Sequence, residues 1–220
     1  MIAKLKKITK SFINNLYMNY TYKKIIRNSK KTNYSKTSED VDLNSLLNNL
    51  NESGAIQIEE YITDIQMVNE SYNQIYNKIE LNKNFQDSPI FVQPEIYTKG
   101  SIAEKILLDK KLTFLIKNYL GEDAYLDIIS ASITKYNSQK KIISEKWHFD
   151  NVGRRLKLFL YLNSNNLIST DYILNTNKLN HQNYTIMGSR LKDNKINKYV
   201  KDKIKFFPKE GSLFLFDTNG

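Results

Sequence analysis

The hydrophobic period of this chain changes near residue 125, and that change limits the folds available to it. Before this point, apolar residues recur three or four positions apart, as they do on one face of an α-helix. After it, short runs rich in β-branched and aromatic residues alternate with polar connections, which is typical of β-strands. Helices followed by short strands predict an α+β fold with a sheet sandwich or barrel as its main body.

The first half carries start signals for its helices. A short helix is predicted near residues 41–50 and a strand at residues 55–62. Thr63 and Gln66 have the spacing of a capping box, in which the side chains at the first helical turn bond to backbone N–H groups. The buried stripe of the helix that follows is predicted to comprise Ile65, Val68, Tyr72, Ile75, Tyr76 and Ile79.

Ser101 and Glu104 form a second capping box, and the helix that begins there is predicted to run to Leu120 and to end at Gly121. Strands are then predicted at residues 126–135, 147–150, 156–162, 184–187 and 212–216. Residues 163–182 and 188–205 are predicted to be polar connections between these strands.

The excess of positive over negative charge in this chain lies in its first 38 residues. The sequence has 33 Lys and Arg against 23 Asp and Glu, a formal net charge of +10. Ten of the basic residues and none of the acidic ones lie in residues 1–38, which leaves 23 of each sign in the rest. A basic groove for nucleic acid is therefore not expected in the folded body.

Residues 1–38 are predicted to form a basic arm that begins as an amphipathic helix, because apolar residues recur at helical spacing from Ile2 to Tyr20. Such a helix would contact an anionic membrane surface or an acidic partner. The alternative is a helix docked on its own domain with its lysines in water. Residues 39–53 are predicted to be a linker, and residues 54–220 the main domain.

The chain has no cysteine, which excludes disulfides and thiolate metal sites and favours a reducing, cytoplasmic environment. No stretch of the sequence approaches the roughly 18 uninterrupted apolar residues of a membrane-spanning helix.

His148, one of only two histidines, stands two residues before the carboxylate of Asp150. Residues i and i+2 of a strand point to the same side, so an imidazole nitrogen and a carboxylate oxygen would meet at one point. These are two of the three ligands in the 2-His-1-carboxylate set that binds non-haem Fe(II). The pattern is short, and a histidine without a metal is the alternative.

The run at residues 156–162 is apolar at almost every position, which predicts a strand buried on both faces. Lys157 lies inside this run, where burial is costly unless its ammonium meets an anion. A cosubstrate carboxylate would be such an anion. A structural carboxylate, or a lysine that extends to solvent, is the alternative.

Three motifs follow one another in the second half: Trp147-His148-x-Asp150, Lys157-x-Phe159-x-Tyr161-Leu162 and Gly211-Ser212-Leu213-Phe214-Leu215-Phe216-Asp217-Thr218. In this order they resemble the phytanoyl-CoA dioxygenase-like family of Fe(II)- and 2-oxoglutarate-dependent oxygenases, over residues 54–220 in outline. The resemblance implies a double-stranded β-helix (jelly-roll) core with N-terminal helices packed on it. It also implies that an unknown small-molecule or lipid-like substrate is hydroxylated.

Carried over by position, the resemblance implies His148 and Asp150 as iron ligands and Lys157 as a partner for a 2-oxoglutarate carboxylate. The family's distal histidine closely follows the late strand, and an arginine that pairs with 2-oxoglutarate comes further on. Neither residue is present between Asp217 and Gly220, so we expect the sequence to lack its last jelly-roll strands. His181 lies in a polar connection and is expected to be a solvated loop histidine.

Two alternatives of other classes remain open at this point. The first is a catalytically inactive jelly-roll binding module. The second is a protein that acts at a membrane surface, or on an acidic partner, through the basic arm of residues 1–38.

Overall fold

The computed structural model describes residues 40–80, 99–133, 147–148, 155–178 and 197–218. The helices in these ranges are α1 (Asp40–Ser53), α2 (Ile65–Glu80), α3 (Ile102–Leu107) and α4 (Lys110–Leu120), with 3-10 turns at Thr176–Lys178 and Asn197–Asp202. The strands are β1 (Ala55–Ile58), β2 (Leu156–Leu160), β3 (Thr170–Ile173), β4 (Lys203–Phe206) and β5 (Leu213–Asp217). Helices are thus combined with antiparallel sheet, as the α+β class predicts.

The described strands form two antiparallel sheets. The first sheet has the order β1-β5-β2, and the second sheet pairs β3 with β4. The two pairings are nested along the chain, because β2 precedes β3 and β4, β5 follows them, and β2 and β5 pair with each other.

One side of the first sheet is covered by helices. Ile56 and Leu215 occupy neighbouring positions on this side and pack against Leu50 of α1 and Leu115 of α4. Leu50 and Leu115 are fully buried. We call this surface the helix-facing side, and its burial accounts for much of the attraction between the helices and the sheet.

The opposite surface, the inner face, packs against the second sheet. Antiparallel partners share a face, so the register assigns Ala55, Lys157, Phe159, Phe214 and Phe216 to the inner face. A second group of apolar side chains packs there, with Tyr172 of β3 and Phe206 of β4 from the second sheet. The first sheet is therefore the middle layer between helices and a second sheet.

Several predicted elements are confirmed. The helix near residues 41–50 is α1, and the strands predicted at residues 156–162 and 212–216 are β2 and β5. Ser101 caps α3 by accepting a hydrogen bond from the backbone N–H of Glu104 at 3.2 Å. The Glu104 carboxylate in turn accepts from the backbone N–H of Gly100, the residue before the cap, and Gly121 ends α4.

Three details of the predicted helices are wrong. Asp64, not Thr63, caps α2, because its carboxylate accepts a hydrogen bond from the backbone N–H of Met67 at 3.1 Å. Ile65 is exposed at the start of that helix, whereas Val68 is buried. The single helix predicted to reach Leu120 is two helices, since Asp109 adopts an extended conformation and caps α4.

The strand predicted at residues 126–135 does not form between residues 122 and 133, apart from an isolated bridge at Ala131. Its β-branched residues have the propensity for a strand, but within the described ranges no neighbouring strand extends along them. The segments predicted to be polar connections instead contain β3 and the start of β4. The strand predicted at residues 184–187, the basic arm and His181 lie outside the described residues.

Candidate functional site

The inner face of β2 carries Lys157 and Phe159, whose partners on β5 are Phe216 and Phe214. Lys157 is half-buried, and 37% of the Phe159 surface is exposed. The strand was predicted to be buried on both faces, and for the inner face this is wrong. Among the described residues β2 is an edge strand, and the second sheet lies over β5 rather than over Phe159.

Aromatic rings line the inner face beside Lys157. The Phe159 ring makes edge-to-face contacts with Phe216, at a centroid distance of 5.1 Å, and with Tyr161, at 6.4 Å. Phe216 in turn contacts Tyr172 of the second sheet at 6.0 Å. An ammonium group at this place therefore has an apolar, aromatic surface on one side, where electrostatic interactions are stronger than in bulk water.

Tyr161 joins the two sheets at the end of β2. Its hydroxyl lies 3.0 Å from Thr170 Oγ1 at the start of β3. Burial raises the pKa of Tyr161, and the hydrogen bond with Thr170 partly offsets this effect. The tyrosine therefore stays neutral at physiological pH, and its hydroxyl links the end of β2 to the start of β3 by a hydrogen bond.

His148 is half-buried and takes part in an isolated β-bridge, as does Ala131. Asp150, the other predicted iron ligand, lies outside the described residues. That the His148 and Asp150 side chains meet at one point therefore stays a prediction. Within the described ranges, no three His, Cys, Asp or Glu side chains group together in a way that could hold a metal ion. Lys157 is the predicted site residue whose strand and face are both described.

The late motif lies directly beside the start of the lysine motif. Leu156 pairs with Asp217, and the backbone N–H of Thr218 donates to the carbonyl oxygen of Arg155 at 3.0 Å. The end of β5 is therefore held next to Arg155, the residue directly before β2. Two motifs that are far apart in the sequence are brought together by this ladder.

A buried carboxylate that was not singled out as a site residue lies at the end of β5. The side chain of Asp217 is fully buried and accepts a hydrogen bond from the Tyr119 hydroxyl of α4 at 2.7 Å. The Asn177 side-chain amide donates to the same hydroxyl at 3.2 Å. The backbone N–H of Asp217 donates to the backbone carbonyl oxygen of Gly54. The sequence contained a signal for this site, namely a carboxylate at the end of a strand predicted to be buried. A buried carboxylate requires hydrogen-bond or charged partners.

Raising the pH above about 10 is expected to destabilise the protein through Tyr172. Its hydroxyl donates to the Asp217 carbonyl oxygen, and burial, then the charges of Asp217 and Tyr119, raise the Tyr172 pKa well above its ordinary value. Because its pKa is higher in the folded state than in the unfolded state, protonated Tyr172 contributes to the free energy of unfolding. This contribution is complete below a pH of about 10, the ordinary tyrosine pKa, and is lost as the pH rises toward the folded-state pKa.

A Tyr172→Phe variant should therefore lose less stability between neutral and strongly alkaline pH than the unchanged protein. The measurement is the urea midpoint as a function of pH, and equal alkaline slopes for the two proteins would contradict this account.

No family model matches the sequence, and no curated protein matches it. Within the described ranges, no helix has the length and apolar character needed to cross a membrane.

Proposed function

We propose that this chain is part of an Fe(II)/2-oxoglutarate-dependent dioxygenase of the phytanoyl-CoA dioxygenase-like type that hydroxylates a small-molecule or lipid-like substrate. The observation that carries the proposal is the nested pairing of β2 with β5 in one sheet and of β3 with β4 in the other. A double-stranded β-helix is an antiparallel two-stranded ribbon that passes between two facing sheets, and nested pairs across two sheets are consistent with one turn of it.

The donor types fit the proposed metal. An imidazole and a carboxylate two residues apart are what a 2-His-1-carboxylate site takes from one segment, so His148 and Asp150 would be the iron ligands. A third ligand is required, and the β2–β5 register supports a place for it. Thr218 donates to the Arg155 carbonyl oxygen directly before β2, so a ligand that follows Thr218 would leave β5 beside the start of β2.

Lys157 would hold the cosubstrate in this proposal. Its side chain lies on the inner face, where a carboxylate of 2-oxoglutarate would form an ion pair with the ammonium that orients the other end of the cosubstrate toward the iron ligands. Phe159 and Phe216 would exclude water beside it. When bound, iron and 2-oxoglutarate supply the oxidation of a substrate C–H bond by O₂, coupled to decarboxylation of the cosubstrate.

The test is Fe(II) affinity under anaerobic conditions, followed by the fluorescence of Trp147, the only tryptophan in the chain. Removing a residue that only orients a metal ligand typically lowers metal affinity by about 10–100-fold. Removing the ligand itself should lower the Fe(II) affinity by at least as much. We expect this loss for His148→Ala and for Asp150→Asn. His181→Ala is the matched control and should bind Fe(II) as the unchanged protein does.

Succinate production from 2-oxoglutarate is the second measurement for the same variants. Equal Fe(II) affinity in His148→Ala and the unchanged protein would contradict the proposed iron site. Fe(II) binding together with succinate production would rule out the alternative of a catalytically inactive binding module.

A further inference from the structure

Two blocks of opposite charge follow one another in the first part of this chain. The basic arm of residues 1–38 has ten Lys and Arg and no acid, whereas residues 39–80 have nine Asp and Glu and a single basic residue, Lys78. The structure places most of the acidic block in α1, in α2 and in the turn between β1 and α2. Charges of opposite sign attract, and here the two blocks are adjacent in the chain.

Part of the acidic charge is exposed at the start of α2. Glu59, Glu60 and Asp64 are all exposed there. Lys209 contacts Glu59 at 2.7 Å and Glu60 at 3.5 Å, and Asp64 forms no ion pair with any described residue. Three carboxylates and one ammonium leave this end of the helix with an excess of negative charge.

α2 also has an apolar stripe that the described core covers only at one end. Val68 is fully buried against Ile62 and Ile102. Tyr72 and Ile75 continue this stripe at helical spacing, but both are only half-buried. Among the described residues they belong to none of the groups of apolar side chains that pack around the first sheet. The second half of α2 therefore has an apolar face with room for a further partner.

The basic arm has the complementary features. Its apolar residues recur at helical spacing from Ile2 to Tyr20, and its charge is positive throughout. An amphipathic segment of this kind binds an apolar helix face with its own apolar side, while its lysines pair with carboxylates at the edge. α4 is a poorer surface for the arm, because Lys110 and Lys111 are exposed at its start.

We propose that residues 1–38 dock on α2 of the same chain, with their apolar side chains against Tyr72 and Ile75 and their lysines beside the carboxylates at the start of that helix. Because the arm and α2 belong to one chain, the effective concentration of the arm at this face is on the order of mM. An anionic membrane then binds the arm only by displacing it from α2. Docking requires neither iron nor 2-oxoglutarate, so it is independent of the proposed function.

Carbodiimide cross-linking of the 220-residue protein tests the contact directly, because the reagent joins an amine to a carboxylate that it touches. In the monomer at about 0.15 M salt, we expect links from lysines of residues 1–38 to Glu59, Glu60 or Asp64. Salt at about 1 M shortens the screening length to about 3 Å and should abolish these links. Links from the arm that form only between two copies, or only to other acids, would overturn the proposal.

The rate of tryptic cleavage within residues 1–38 is the second measurement, because it follows the fraction of undocked arm. Ile75→Ser should raise this rate about fivefold, which corresponds to losing about half of the burial of an isoleucine side chain. Asp64→Asn should raise it about two- to fivefold, since asparagine also caps a helix but has no charge that attracts lysines.

Two variants are the matched controls, and neither should change the cleavage rate. Glu70→Gln removes an exposed charge from the other side of α2, because two residues turn a helix by about 200° from Val68. Leu108→Ser removes an exposed apolar side chain between α3 and α4. An unchanged rate in Ile75→Ser, or the same rise in Glu70→Gln as in Asp64→Asn, would overturn the proposal.

Binding to vesicles of phosphatidylserine and phosphatidylcholine separates docking from a membrane role of the arm. Ile75→Ser should bind these vesicles more tightly than the unchanged protein, because its arm is released. Equal affinities would show that α2 does not hold the arm. Thermal unfolding identifies any variant that is partly unfolded, and Asp64→Asn keeps the comparison decisive because it retains the helix cap.

Discussion

Replacing Phe214 with alanine is expected to lower the free energy of unfolding by about 3–5 kcal/mol. Phe214 is fully buried at the centre of β5, the middle strand of the first sheet. Its ring centroid lies 3.8 Å from that of Phe206 in β4 and 4.7 Å from that of Phe216. The alanine variant would leave a cavity between the two sheets and would remove the contacts that join them.

Urea unfolding measures this loss, and Phe207→Ala is the matched control. Phe207 follows β4 directly and 44% of its surface is exposed, so its truncation should change the free energy of unfolding by less than about 1 kcal/mol. Similar losses in the two variants would show that the described packing of Phe214 is wrong.

Gly211→Ala is expected to cost about 2–5 kcal/mol, because two penalties combine. Gly211 has a φ of +76°, a left-handed conformation that costs an L-residue about 1–2 kcal/mol. A Cβ at this position would also collide with the backbone oxygen of Ile62, and such overpacking costs about 1–3 kcal/mol. The backbone there cannot move freely, since Gly211 accepts from Ile62 N–H and donates to the Tyr161 carbonyl.

Gly100→Ala separates the two penalties. Gly100 has a similar φ of +80°, but no heavy atom lies within 4 Å of the position that its Cβ would take. We expect this variant to lose only the backbone contribution of about 1–2 kcal/mol. If the two alanine variants have the same urea midpoint shift, the close approach of Ile62 to Gly211 is not rigid.

The elements that could be predicted are those with strong local signals. Ser101 and Glu104 specify a helix start through their own hydrogen bonds, and residues 156–162 and 212–216 are apolar runs whose length favours buried strands. β4 was missed although its sequence Lys203-Ile204-Lys205-Phe206 alternates strictly, with Phe206 buried and Lys205 exposed. This alternation is the signal that sequence reasoning should have used.

The segment around residues 126–133 illustrates the opposite error. It has the composition of a strand, yet Leu126 and Ile128 are exposed and no ladder forms along it within the described ranges. Strand propensity reflects packing against neighbours rather than an intrinsic preference of the backbone. A strand therefore cannot be predicted reliably from one segment without its partner.

The amino-acid sequence by itself determined the α+β class, the concentration of the excess positive charge in residues 1–38, and the residue types that nominate His148, Asp150 and Lys157. These depend on composition and on contacts between residues near in sequence. Only the tertiary structure decided that Lys157 and Phe159 lie on the inner face, because this depends on the register between β2 and β5. A shift of one residue in that register would turn each of these side chains to the opposite face.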